Sequence, residues 1–187
     1  MSEQPPPPPP PPTPGPMGGS PPTPGVPRPG ELMDRFLARL IDSILLGVVF
    51  FVCQAIFTGI FISGINTSVG EYLLAWIFIA IITVAVSIAY FAYLESTRGA
   101  TLGKQLLKLK VVGPDGTGNP TMEQAVRRNA FYAIQLAYIV PIIGWIVGWL
   151  GMMIAVIMIA VGINNDTVAR QAWHDRFAGG TRVVKIG

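Results

Sequence analysis

Cysteine and histidine are almost missing from this chain. Cys53 is the single cysteine and His174 the single histidine. One cysteine excludes an internal disulfide, so nothing here requires an oxidising compartment. One cysteine and one histidine are too few for a His/Cys zinc site, and no metal or cofactor is expected. Charge is also scarce. Only 12% of residues are charged, against about 25% in ordinary soluble domains. A net charge of +3 is too small to argue for a nucleic-acid partner.

Catalytic signatures are missing as well. The stretch "GATLGK" at 99–104 invites a nucleotide-loop reading but fails it. Only three residues separate Gly99 from Gly103, and Gln105 stands where a magnesium-binding Ser or Thr would follow Lys104. It reads instead as an interfacial turn anchored by Lys104. His174 and Asp175 are adjacent, but no serine or cysteine nucleophile motif accompanies them. An enzyme is therefore not expected. The chain does not open on a cleavable signal-peptide pattern, so none is expected.

What the sequence does have is apolar length and proline. Half of the chain (51%) is apolar. One run covers Leu40 to Ile62 and a second Tyr72 to Leu94, each 23 residues. A helix of that length spans about 34 Å, enough for a bilayer core. The short polar loop "SGINTSVGE" joins them. A third region, Thr121 to Ile163, is too long for one ordinary span. A helical hairpin broken at Pro141 fits it, pairing 121–139 with 143–163. The first arm is the weaker, since Glu123, Arg127, Arg128 and Gln135 lie in it. Fifteen of the 18 prolines fall in the first 29 residues, eight of them consecutive. Residues 1–30 are thus expected to form a disordered tail sampling polyproline II. The tail is a spacer, or it engages a proline-binding cytoplasmic partner. Between the apolar regions "LKLKVV" alternates like a half-buried strand and "GPDGTG" reads as a turn. "TRVVK" near the C-terminus also alternates, and the two could pair as a small cytoplasmic sheet.

Basic residues set the expected topology. All 13 fall before the first run, between the second run and the hairpin, or after the last run. The 63–71 loop and the Pro141 turn have none. Lys and Arg mark cytoplasmic loops, so four crossings with both termini inside place every basic residue in the cytoplasm. Three crossings are the alternative, with 121–139 lying in the interface. The fold class expected is an all-α, four-crossing helical bundle with a small cytoplasmic β element. Residues 31–187 would be its membrane domain.

Arg39 and Asp42 need explaining, because they sit three residues apart at the mouth of the first apolar run. Such residues are neighbours on one helix face. Arg39 can snorkel to the headgroups, whereas Asp42 is short and wants a cation. The pair is either a boundary device that lowers insertion cost or a charge site on an ion or proton path.

These features together resemble the RDD family of bacterial membrane proteins, named for one arginine and two aspartates. They map to Arg39 and Asp42 in "ARLIDSIL" and to Asp175 in "WHDRFAGGT". "TRGATLGKQLLKLKVVGPDG" is similar to the family's central segment, with Thr101, Gly103 and Lys104 in place. "AVRRNAF" resembles its arginine-bearing helix start, with Arg128, and His174 stands beside Asp175. The proline-rich tail resembles the mycobacterial proline-rich antigen group. The resemblance implies a multi-pass protein of the bacterial plasma membrane with a role in transport of unidentified ligands or in cation/proton exchange. A scaffold that recruits partners through its tail is the alternative. Four short helices enclose little space, so a homo-oligomer is expected. The resemblance also implies a clamp, with Arg39 between Asp42 and Asp175.

Overall fold

The computed structural model describes residues 27–61, 68–140 and 142–186. A two-residue strand, β1 (Arg28–Pro29), leads into helix α1 (Leu32–Phe61). Helix α2 (Val69–Arg98) follows, then the short α3 (Leu102–Leu106) and strand β2 (Leu109–Val112). Helix α4 (Met122–Asn129) continues directly into a 3-10 helical stretch, Ala130–Ile139. Helix α5 (Ile143–Asn165), the short α6 (Trp173–Phe177) and strand β3 (Arg182–Lys185) complete the chain.

The apolar runs become α1, α2 and α5, each long and apolar enough to cross a membrane. Their outer faces carry Phe51, Leu74 and Trp149 exposed to the surroundings. That suits contact with lipid, where a helix satisfies its own backbone. Helix α2 starts at a capping box, with Ser68 and Glu71 exchanging side-chain and backbone hydrogen bonds. It ends at Gly99, whose φ of +72° gives the left-handed cap.

The hairpin expected between 121 and 163 forms, but its first arm is not a plain helix. Thr121 and Gln124 cap α4, and the ten residues after it, apolar except for Gln135, tighten into 3-10 geometry. At about 2.0 Å per residue, those ten residues cover about 20 Å where an α-helix would cover about 15 Å. The arm runs beside α2. Asn129 Nδ2 donates to Glu95 Oε2 at 3.1 Å near one end, and Trp76 Nε1 donates to the Tyr138 carbonyl at 2.9 Å near the other. Helix α5 returns antiparallel, close enough that side chains on Gly144 and Gly148 would overlap the Ala137 carbonyl and the Tyr138 ring. Small residues permit this approach in membrane bundles. Pro141 itself, and residues 62–67 of the first loop, lie outside the described residues.

The strand expectation holds. β2 pairs antiparallel with β3, with Val111 opposite Val183 and Leu109 opposite Lys185. The sheet order is β1-β3-β2. Just before the boundary expected at residue 30, Arg28 pairs with Lys185 and Pro29 with Val184. Proline is tolerated there because β1 is an edge strand, and the Gly30 amide donates to the Val183 carbonyl at 2.8 Å. Residues 1–26 of the proline-rich tail lie outside the described residues. The sheet brings three points of the chain to one end of the bundle: the start of α1, the segment after α2 and the segment after α5. A small core of Ala38, Leu109, Val111 and Val183 seals it against α1.

Candidate functional site

Residues 35, 39 and 42 recur at helical spacing and face one side of α1. That side meets the C-terminal end of α2, the α3 turn, the α4 junction and α6. Three carboxylates are buried there, each fully enclosed: Asp42, Glu95 and Asp175.

Asp42 is held by neutral donors. Thr101 donates its hydroxyl to Oδ2 at 2.5 Å, the Gly103 amide donates to Oδ1 at 2.8 Å, and the Tyr90 hydroxyl donates to Oδ1 at 2.9 Å. Thr101 and Gly103 are in position because Thr101 caps α3, accepting the Lys104 amide. The "GATLGK" segment is thus docked onto α1, and Lys104 is buried rather than reaching outward as an anchor. Its ammonium pairs with Glu95. Burial lowers the Lys104 ammonium, Glu95 opposes this, and Arg128 and Arg39 lower it further, leaving it at about 8.

Glu95 also accepts from Asn129 and faces Arg128 Nε at 3.7 Å. Arg128 then reaches on, with Nη2 standing 3.1 Å from Asp175 Oδ1. Arg35 Nη1 donates to Asp175 Oδ2 at 3.2 Å, while its Nε donates to the Gly30 carbonyl. Burial alone would raise the Asp175 carboxyl, but the Arg128 and Arg35 charges outweigh it and hold it at about 2. His174 is buried beside it, with Nε2 at 3.7 Å. Burial pushes its imidazole down to about 3 against the pull of Asp175, so it is neutral at pH 7.

Arg39 does not bridge Asp42 and Asp175, and the expected clamp is corrected on this point. Its Nη2 donates to Asn129 Oδ1 at 3.0 Å, and its guanidinium lies 3.9 Å over the Phe91 ring with Tyr132 and Phe131 alongside. Such a box attracts a desolvated cation. The reason is competition for acceptors. Gly103 lets the α3 backbone reach Asp42 first, and Arg35 and Arg128 occupy Asp175. A C-terminal clamp does exist, but Arg35 carries it on α1. The namesake residues therefore share one network without touching through Arg39.

Sequence reasoning missed Glu95, Arg35, Asn129 and Tyr90. Arg35 was visible as a member of the 35–39–42 face. Glu95 directly follows the apolar run ending at Leu94, a place where a carboxylate needs a partner. Fully ionised, the network holds four cations (Arg35, Arg39, Lys104, Arg128) against three anions, leaving one positive charge. Among the described residues no cluster of metal-ligating side chains occurs.

The chain is similar to the "Uncharacterized protein YxaI" of Bacillus subtilis (strain 168), 29% identical over 130 residues, covering 64% of this chain and 84% of that protein. No solved structure matches. The model of the RDD family matches residues 29–179. That match takes in every helix that contributes to the buried network, and the chain belongs to the RDD family.

Proposed function

We propose that this membrane protein is transport-related, and that the buried basic cluster at one end of the bundle is the part that meets its charged substrate. The observation that carries this reading is the placing of four cationic side chains around a single cavity beside apolar helices. An anchor needs no such cluster, because buried charges are costly and are kept where they serve a purpose. Arg35, Lys104 and Arg128 are paired with Glu95 and Asp175, and Arg39 faces no carboxylate, so the wall offered to a solute carries one net positive charge. This favours an anionic substrate over a bare cation. Cation/proton exchange would require that Asp42, Glu95 or Asp175 be released from its partners.

The same reading puts the protein in the bacterial plasma membrane with four passages and both termini cytoplasmic. It is supported by the pairing of β1 with β3, since α1, α2 and α5 need a fourth passage for both ends to meet. The basic residues gathered on that side support it too. The bundle is small, which favours an oligomer as the working unit. The scaffold alternative rests on the tail, whose first 26 residues are not described.

The test is flux in proteoliposomes across a pH gradient, with an anion-sensitive and a cation-sensitive dye in separate arms. Anion-dependent flux supports the reading. Flux of cations alone overturns the anionic preference, and no flux in either arm overturns the transport role.

A further inference from the structure

A cavity of about 320 Å³ lies between α1, the 3-10 stretch and α5. That is the low end of the range for small-ligand sites. One end is basic, with Arg35, Arg39, Lys104 and Arg128 on the wall. The other is apolar, walled by Phe131, Met152 and Ile159. Phe36 and Val156 also line it and are exposed on the outer face of the bundle. The mouth therefore opens sideways, between α1 and α5, at the level of the apolar surface. These two helices make little contact with each other.

The basic end is not saturated. Arg128 is 3% exposed, yet its Nη1 has no hydrogen-bond partner among the described residues. Arg39 Nη1 and His174 Nδ1 are in the same state. A buried donor without an acceptor is unfavourable. These atoms are closed to water as the side chains stand, so an acceptor in the cavity relieves them by drawing the guanidinium edges toward it. Two guanidinium edges beside a net positive charge suit a phosphate, whose oxygens match the planar fork.

We propose that the cavity binds the phosphate headgroup of an anionic membrane lipid. The Arg39 and Arg128 edges take the phosphate, and the groove between α1 and α5 takes the first part of an acyl chain. The inference rests on the reading of the basic cluster as ligand-facing. Free phosphate meets only half of the site, because the apolar wall and the lateral mouth give it nothing to contact. A zwitterionic headgroup brings its own cation to a wall that is already positive.

The test uses the purified full-length protein in non-ionic detergent, with no gradient. Thermal unfolding is followed while dioleoyl phosphatidic acid, dioleoyl phosphatidylcholine or inorganic phosphate is added. Phosphatidic acid should raise the melting temperature, and the other two should not at matched concentration. Arg39→Gln should weaken the apparent affinity about tenfold, the scale of one charge-assisted hydrogen bond. Val156→Trp leaves the basic cluster whole, narrows the groove and should abolish the protection. Inorganic phosphate protecting as well as phosphatidic acid would overturn the lipid assignment. Equal protection by phosphatidylcholine, no protection at all, or full protection of the Val156→Trp protein would each overturn the site. A protein that binds the lipid but moves no ion keeps this inference and ends the transport reading. One that moves anions and ignores the lipid does the reverse.

Discussion

The amide of Gly103 donates to Asp42 Oδ1 at 2.8 Å, at a point where α3 presses against α1. A Cβ on Gly103 would overlap the Ala38 carbonyl, so only glycine brings the amide this close. Gly103→Ala should destabilise the bundle by about 1–3 kcal/mol through overpacking, with more lost as Asp42 is deprived of a donor. Gly47→Ala is the control, because nothing stands within 4 Å of that position. It should be neutral or slightly stabilising in its helix. Thermal unfolding in detergent separates the two. Equal melting temperatures for the two variants would show that the docking is not tight.

Arg128 and Arg39 should differ sharply as targets. Arg128 serves both Glu95 and Asp175, and removing one partner of a buried pair costs about 3–5 kcal/mol. Arg39 serves no carboxylate, so Arg39→Met should cost only about 1–2 kcal/mol from the Asn129 bond and the aromatic box. Adding Asp175→Asn to Arg128→Met should recover part of the loss, a coupling visible in a double-mutant cycle. A larger loss from Arg39→Met than from Arg128→Met would contradict the assignment of partners.

Acid should destabilise the fold through α6. His174 titrates near 3 when folded against an ordinary 6.5. Between those values the unfolded chain binds the proton and the folded one does not, so stability falls as pH drops from about 6.5. The slope approaches about 1.4 kcal/mol per pH unit for one proton. Asp175, at about 2 against 3.8, adds a loss in the same direction only below about pH 3.8. His174→Gln should flatten the melting temperature between pH 6 and 4 and leave the steeper fall below it. An unchanged slope in that variant would mean that His174 is not the group responsible.

Much of the fold was legible because its signals are periodic. The long apolar runs gave α1, α2 and α5, and the period-two alternation of "LKLKVV" and "TRVVK" gave the β2–β3 pair. The site was only half legible. Spacing places Arg39 and Asp42 on one face of α1, but it does not say where a long guanidinium swings, and Phe91 and Asn129 come from other elements. Asp42 looked in need of a cation because sequence shows charges more readily than backbone amides. Its amide donor comes from Gly103, sixty-one residues away. The 3-10 stretch carries no distinctive pattern, since its ten residues, all but Gln135 apolar, read the same whichever helix they form.

Topology can be read by labelling. In a Cys53→Ser background, single cysteines replacing Val69 and Thr117 should react from opposite sides of the membrane. Lys185→Cys should react from the same side as Thr117→Cys, because β3 and β2 share a sheet. Labelling of the Lys185 position from the Val69 side would restore the three-crossing alternative.

The role of the basic cluster rests most directly on Arg39, which can be changed without removing any ion pair. Flux in proteoliposomes should be measured for Arg39→Gln alongside its melting temperature. The flux should fall at least about tenfold, the scale of one charge-assisted contact, with the melting temperature within a few degrees of the parent. Arg39→Lys should restore part of the flux. Unchanged flux in Arg39→Gln, or flux lost only in step with folded protein, would contradict a ligand-facing cluster and leave the network as an internal brace.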